Sequence, residues 1–499
     1  EEKGDCSEGW DRHAILAAAS EGDVLAIDGV EVLAATGVAP IADLDGVISG
    51  FDQQLEAVVR PDRKRPSPSA EDGSQAHLPD SVAAMAAEVG ASPSPIGRMT
   101  TPEGIADPYP IFDELRSERP VCRDDVYGVW VCTRHAAVQQ VLSDPTVSSR
   151  RSEAYWDPDR LPAEVRATAQ AVYSALGQRM LMQDPPEHTA TRKVMSAAFG
   201  KRAVALLRPR IADLVDELLA PVAAGGSIDV VADLAVPLSI RTIAEVLGVP
   251  DDDIGRIEGW SEDFATTKDF RPGEVGREAA ALRGVEALLE YLGDLVARAR
   301  AGPVRDDVLA LVVDAADAAG PREDARLAAN LAGLLVGGHD TTTGLVSAGL
   351  LSLLRFPAEL AALQHEPDLV VPAIEELLRF ESPAQWILRT TTREMDLEGC
   401  VIGPGQLVGL FLGAANRDPA VFEQPARLDV RRRPTQHFAF GRGRHLCVGA
   451  PLARIEAEVA LSALVTRYRD IEPAGPAPVW KPNFAQRGLA RLEVHLVGR

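Results

Sequence analysis

Phe440-Gly441-Arg442-Gly443-Arg444-His445-Leu446-Cys447-Val448-Gly449 is the stretch on which the reading of the whole chain turns. Three chemical needs meet in these ten residues. Glycines at 441, 443 and 449 allow turns closed to residues with a β-carbon and let the backbone approach a flat ring. Cys447 stands just before an apolar, helix-forming run, residues 450–464. N–H groups near a helix start favour a thiolate over a thiol. A thiolate set trans to oxygen on an iron pushes electron density onto the metal and favours O–O cleavage. The bland alternative is a Gly-rich loop with one buried thiol. Phe, three Gly, His and Cys in one register go beyond it.

A second departure from ordinary packing lies about a hundred residues upstream. Leu335-Val336-Gly337-Gly338-His339-Asp340-Thr341-Thr342 interrupts a long apolar segment that reads as one helix, residues 324–354. Two Gly followed by an acid and a hydroxyl are poor helix chemistry for an element that only packs. Gly permits local widening, and bulged turns often mark functional sites. Three further groups stand at telling spacings. Glu376 and Arg379 lie i,i+3 on one helix face. His188 and Arg192 lie i,i+4, and Arg389 follows on a short strand.

Taken in order and spacing, these segments resemble the cytochrome P450 family, particularly its soluble bacterial members, over roughly residues 100–499. The resemblance implies a mostly α fold with minor β, of triangular-prism shape. Haem b would lie between the Thr341 helix and the Cys447 loop, with Cys447 as the iron ligand. It implies that Asp340 and Thr341 form the acid–alcohol pair that delivers protons, and that His339 occupies a variable position and only packs or hydrogen-bonds. It assigns His188, Arg192, Arg389 and His445 to the haem propionates, where fixed cations suit carboxylates. It joins Glu376 and Arg379 to a downstream arginine, here Arg427 in "FEQPARLD". The expected activity is a monooxygenase acting on a small hydrophobic organic substrate, with oxidative coupling also within the family's range. A carrier-bound or peptide-bound substrate stays open. Electrons would come from a separate ferredoxin and ferredoxin reductase, since the chain shows no flavin or iron–sulfur motif. Two rivals are a peroxide-driven peroxygenase and a non-catalytic haem sensor or recruitment protein. The complete Asp340–Thr341 pair argues against both. Variable pocket walls are expected around residues 148–181 (with Tyr155 and Trp156), 249–272, 336–341, 384–387 (with Trp386) and near Phe484.

The rest of the chain bounds this reading. The 499 residues carry 51 basic and 74 acidic side chains, a net charge of −23. So acidic a surface argues against nucleic acid and anionic membranes as general partners. Cys6, Cys122, Cys132, Cys400 and Cys447 are odd in number and widely spaced, which points to a reducing, cytoplasmic setting. Cys122 and Cys132 could pair, although buried free thiols are commoner. The apolar run from 327 to 354 contains His339, Asp340 and several Gly and Thr, so it reads as a core helix and not a membrane span. Residues 1–60 form a small acidic extension with helical spacing at 10–19 and 51–59. Residues 61–95 are rich in Pro, Ser, Arg and Asp and read as a linker. Residues 96–499 form the main domain. Low Lys beside abundant Ala and Arg suggests a GC-rich bacterial source and, by association, natural-product metabolism.

Overall fold

The computed structural model describes residues 94–150, 163–267, 275–302, 307–320, 323–432 and 436–499, together with the backbone of two short strands near the N-terminus. The chain divides into two compact units, Glu1–Asp80 and Ser81–Arg499. In the first, β1 (Val24–Ile27) pairs antiparallel with β2 (Val30–Leu33). The helices expected at 10–19 and 51–59, and the linker up to residue 93, lie outside the described residues.

The second unit opens on α1 (Pro95–Met99), where Ser94 Oγ accepts the Gly97 N–H and a proline takes the first turn. Next come α2 (Tyr109–Glu118) and the hairpin β3 (Val121–Asp124) and β4 (Val129–Cys132). The middle of the chain is α3 (Glu187–Met195), α4 (Lys201–Leu219), β5 (Gly225–Asp229), α5 (Val236–Leu247), α6 (Val275–Ala301), α7 (Asp324–Arg355) and α8 (Val370–Phe380). The C-terminal part holds β6 (Trp386–Thr390), β7 (Leu407–Phe411), α9 (Ala450–Arg467), β8 (Tyr468–Pro473), β9 (Val479–Trp480), β10 (Leu489–Arg491) and β11 (Glu493–Gly498).

The helical part is organised around α7. At 32 residues it is about 48 Å long. It is apolar on nearly every side, as a helix surrounded by other helices must be. It packs on α5, α6, α8 and α9. One large apolar cluster runs from Val165 to Leu496 through these helices. The β part sits to one side as a four-stranded sheet ordered β3-β4-β7-β6, with β4 and β7 parallel. The β part also includes a three-stranded sheet, β8-β11-β5, the hairpin β9-β10, and a short antiparallel pair, Met395–Leu397 with Cys400–Ile402.

The segment 489–496 is divided between two strands. Leu492 is the switch: its N–H goes to the Asp229 carboxylate at 3.0 Å and its carbonyl accepts the Val230 N–H at 2.8 Å. β10 therefore pairs with β9, while β11 pairs with β5 and β8. Cys122, Cys132, Cys400 and Cys447 are free thiols. Among the described residues no single helix is long and apolar enough to cross a membrane.

Candidate functional site

The Cys447 loop is built by two tight turns. Gly441 and Gly443 have φ of 67° and 72°, the left-handed region that favours glycine. A β-carbon on Gly443 would also lie 2.8 Å from the Leu142 carbonyl oxygen, so only glycine fits there. Gly449 is different: its φ is −81°, an ordinary value, and it serves as the residue before α9. The loop closes on itself through Gly441 N–H to Phe438 O at 2.7 Å and Cys447 N–H to Phe440 O at 2.9 Å.

Cys447 is exposed by surface area, yet its sulfur is surrounded closely enough for burial to govern its ionisation. A side chain in a narrow cleft behaves this way. Burial pushes the thiol up. The N–H groups of Gly449 and Ala450 and the cations Arg192 and Arg454 pull against it without prevailing. The helix start thus assists the thiolate but does not secure it. A coordinated metal ion deprotonates such a thiol outright.

Around this loop the fold gathers residues that are remote in sequence. His188 and Arg192, on α3, share a helix face. The His188 ring lies 4.1 Å from the His445 ring, centroid to centroid. Burial holds His188 below the usual histidine range, reinforced by the charges of Arg192, Arg444 and Arg389. Arg389 is buried on β6 and donates to the Leu388 carbonyl at 2.8 Å. Four of the expected site residues, His188, Arg192, Arg389 and His445, are therefore neighbours, and Arg192 also acts on Cys447. Nε2 of His188 is buried with no hydrogen-bond partner among the described residues. An orphaned buried nitrogen inside a ring of cations fits a multiply charged carboxylate ligand beside the thiol, which is what the propionate edge of a haem would present.

On α7, Gly337 and Thr341 lie at i and i+4 on the one open face of an otherwise buried helix. Nothing stands within 4 Å of where a β-carbon on Gly337 would be. The expected widening does not occur: α7 is a continuous α-helix from Asp324 to Arg355. The Thr341 hydroxyl bonds back to the Gly337 carbonyl at 2.6 Å, and the missing side chain at 337 supplies the space. A π turn is present elsewhere, at Val230–Ala235. His339 faces away, with Nδ1 2.9 Å from Ser239 Oγ, and burial holds it below the usual histidine range. It packs and hydrogen-bonds, as expected. The Asp340 carboxylate meets Lys481 Nζ at 3.3 Å.

Beneath the loop, Glu376 and Arg379 form a two-point ion pair at 2.7 and 2.8 Å, each side chain 1% exposed. The expected third member needs correction. Arg427 contributes only its backbone carbonyl, which accepts from Arg379 Nη2 at 3.3 Å, while its side chain is exposed. The guanidinium that completes the network is Arg432, whose Nε donates to Glu376 at 3.1 Å. Arg432 stands five positions after Arg427, and the turn between them brings it inward. Reading by spacing also missed Glu375. Burial raises its carboxyl, but bonds from Arg454 and His437 hold it down to about 2. Arg454 in turn lies 4.5 Å over the Phe440 ring, tying α9 and α8 to the loop.

Several arginines near the loop are committed to partners. Arg431 pairs with Glu366, Arg432 is half-buried against Glu376, and Arg444 donates to the carbonyls of Asp144, Pro145 and Val147. Arg433 lies outside the described residues, as do Tyr155 and Trp156. Trp386 is a core side chain, 7% exposed, with its ring 5.5 Å from Phe411 and 5.1 Å from the half-buried Phe484.

The family model Cytochrome P450 matches residues 303–483. The chain is 39% identical over 370 residues to cytochrome P450 107B1 of Saccharopolyspora erythraea, covering 73% of this chain and 88% of that protein. It is 37% identical over 398 residues to the cytochrome P450 monooxygenase PikC of Streptomyces venezuelae, covering 78% and 91%. Among solved structures it resembles CalO2, with a TM-score of 0.73, 31% identity and coverage of 80% and 98%. P450BioI, solved in complex with an acyl carrier protein ligated to hexadec-9Z-enoic acid, gives 0.72, 30%, 79% and 99%. The mostly helical fold with minor β is theirs. The chain belongs to the cytochrome P450 family, among its bacterial members.

Proposed function

We propose that this chain is a haem-thiolate monooxygenase that inserts one oxygen atom from O2 into a hydrophobic organic substrate: RH + O2 + 2 electrons + 2 protons gives ROH + H2O. A separate ferredoxin and its reductase would supply the electrons. The observation that carries the reading is the convergence of His188, Arg192, Arg389 and His445 beside Cys447. Haem b bound there would supply the oxygen chemistry. Cys447 Sγ would ligate its iron, and the two histidines and two arginines would hold its propionates by charge-assisted bonds. Thr341 presents a hydroxyl to the site from the open face of α7 and holds a proton at Oγ1. Asp340 exchanges protons with solvent. Glu376, Arg379 and Arg432 keep the loop under Cys447 in shape.

The relatives support a place in bacterial secondary metabolism. They include proteins named as 6-deoxyerythronolide B hydroxylase, nocardicin C N-oxygenase and vitamin D(3) 25-hydroxylase. The P450BioI complex keeps a carrier-bound substrate in view. In this reading residues 1–60 are an accessory extension, 61–95 a linker and 96–499 the haem domain, working in the cytoplasm.

The test is spectroscopic. The reduced, carbon monoxide-treated protein should show the strongly red-shifted Soret band of thiolate haem, and Cys447→Ser should abolish it. A variant that kept the band would remove Cys447 as ligand. NADH consumption with a ferredoxin and reductase distinguishes an oxygenase from a haem sensor.

A further inference from the structure

Asp340 and Thr341 are adjacent in sequence, yet no hydrogen bond joins their side chains among the described residues. The Thr341 hydroxyl is turned to the Gly337 carbonyl, and the Asp340 carboxylate is turned to Lys481. Lys481 lies 141 residues further along the chain, at the start of the loop between β9 and β10. Its side chain is 37% exposed and that of Asp340 is 15% exposed, so the pair reaches from solvent into the interior.

The loop that carries Lys481 is held firmly. Asn483 Oδ1 accepts the N–H groups of Ala485 and Gln486, both at 3.0 Å. The Gln385 N–H donates to the Ala485 carbonyl at 3.0 Å, and the Arg487 N–H to the Pro383 carbonyl at 2.7 Å. The loop also lies directly against α7. A β-carbon on Gly344, one turn beyond Asp340, would be 2.7 Å from the Arg487 carbonyl oxygen. The neighbouring cations are engaged elsewhere. Arg487 is committed to Glu381 and to the carbonyls of Ile105 and Ala106, and His339 is turned to Ser239. Among the described residues Lys481 is the one cation within ion-pair distance of Asp340.

We propose that Lys481 is the positioning residue for Asp340, fixing the carboxylate at the solvent boundary of α7. The inference rests on the role proposed above for Asp340 and Thr341. The carboxylate takes a proton from water at the Lys481 end and releases it toward Thr341, so the ion pair opens and re-forms once for each proton delivered. The lysine sits on the loop that also carries Phe484, whose ring lies 5.1 Å from that of Trp386.

The experiment uses the haem-loaded full chain, NADH, a surrogate ferredoxin and reductase, and no organic substrate. Electrons then divide between hydrogen peroxide (two per O2) and water (four per O2), and the division reports proton delivery. Lys481→Met should raise the peroxide share and slow NADH use by roughly threefold to tenfold, less than the 10²–10⁴ typical of losing an acid catalyst itself. Lys481→Arg should restore both. Guaiacol oxidation driven by added peroxide, which brings its own protons, reports in each variant whether the loaded site is intact. Lys481→Gln replaces Lys481→Met should the latter fail to load haem. Crystal structures give a reading independent of turnover: the carboxylate should leave its place in Lys481→Met and keep it in Lys481→Arg. A wild-type division in Lys481→Met, with an altered one in Asp340→Asn, would overturn the role of Lys481 alone. A wild-type division in both would overturn the acid–alcohol reading as well.

Discussion

Arg432 and Arg427 show how much one side chain's direction decides. Both follow the Glu376–Arg379 pair in sequence, and only Arg432 turns inward to it. With Glu376 still paired to Arg379, losing the largely buried bond from Arg432 to the carboxylate typically costs about 1.5–3 kcal/mol. Arg432→Leu should therefore destabilise the protein by about that much in urea unfolding. Arg427→Leu should change it by less than about 0.5 kcal/mol, as surface substitutions do. Equal effects would mean that Arg427 completes the network after all. His339 makes a different residue-scale prediction. Burial, with the nearby Lys481 charge, depresses its ionisation in the folded protein. As pH falls through the ordinary histidine range the unfolded chain takes up a proton that the folded chain refuses. Stability therefore falls with falling pH below about 6.5, by up to about 1.4 kcal/mol per pH unit for one group. His339→Gln should flatten the dependence of Tm on pH between 7 and 5. It should not abolish it, because His135 is depressed by burial too. An unchanged slope would show that His339 protonates freely in the fold.

At the scale of elements, α7 accounts for most of the site's architecture. Its small residues set how closely other segments approach. Gly344 is the sharpest case, since the Arg487 backbone occupies the space a methyl group would need. Gly344→Ala should force the β9–β10 loop off the helix and cost about 1–3 kcal/mol, the usual range for overpacking. A thermal melt measures the cost. Increased proteolysis within residues 481–488 would show that the loop is what yields. Intact stability would mean that loop and helix are loosely packed. The same helix was readable in outline from sequence: residues 324–354 were expected, and Asp324–Arg355 is observed. Its open face was not readable, because the hydroxyl of Thr341 could either widen the helix or bond back to Gly337. Only the backbone geometry distinguishes these.

At the scale of the molecule, the main unit carries its own core. Ser94 already caps α1, and Ile96 and Met99 are 0% and 1% exposed. A chain beginning at Ser92 should therefore fold, take up haem and give the red-shifted carbon monoxide band. Its Tm should lie within about 4 °C of the full chain, the shift that 1 kcal/mol causes in a domain of 150–250 residues. Failure to load haem would place the N-terminal region inside the fold. Loss of activity on a carrier-bound or peptide substrate alone would instead give residues 1–60 a docking role.

Sequence alone determined the family, the helical character and the identity of the thiol ligand candidate, because these rest on local chemistry. The turns at Gly441 and Gly443, the apolar run of α7 and the spacing of His188 and Arg192 are all short-range constraints. Tertiary structure decided the rest. It selected Arg432 over Arg427, set Arg454 and His437 on Glu375, divided 489–496 between two sheets at Leu492, and brought Lys481 to Asp340. Each of these depends on where segments tens to hundreds of residues apart come to rest. A charged side chain carries no mark in the sequence of which opposite charge it will meet. The partner is fixed by packing, since a buried ionic group is tolerated only where the fold supplies its counter-charge and hydrogen bonds.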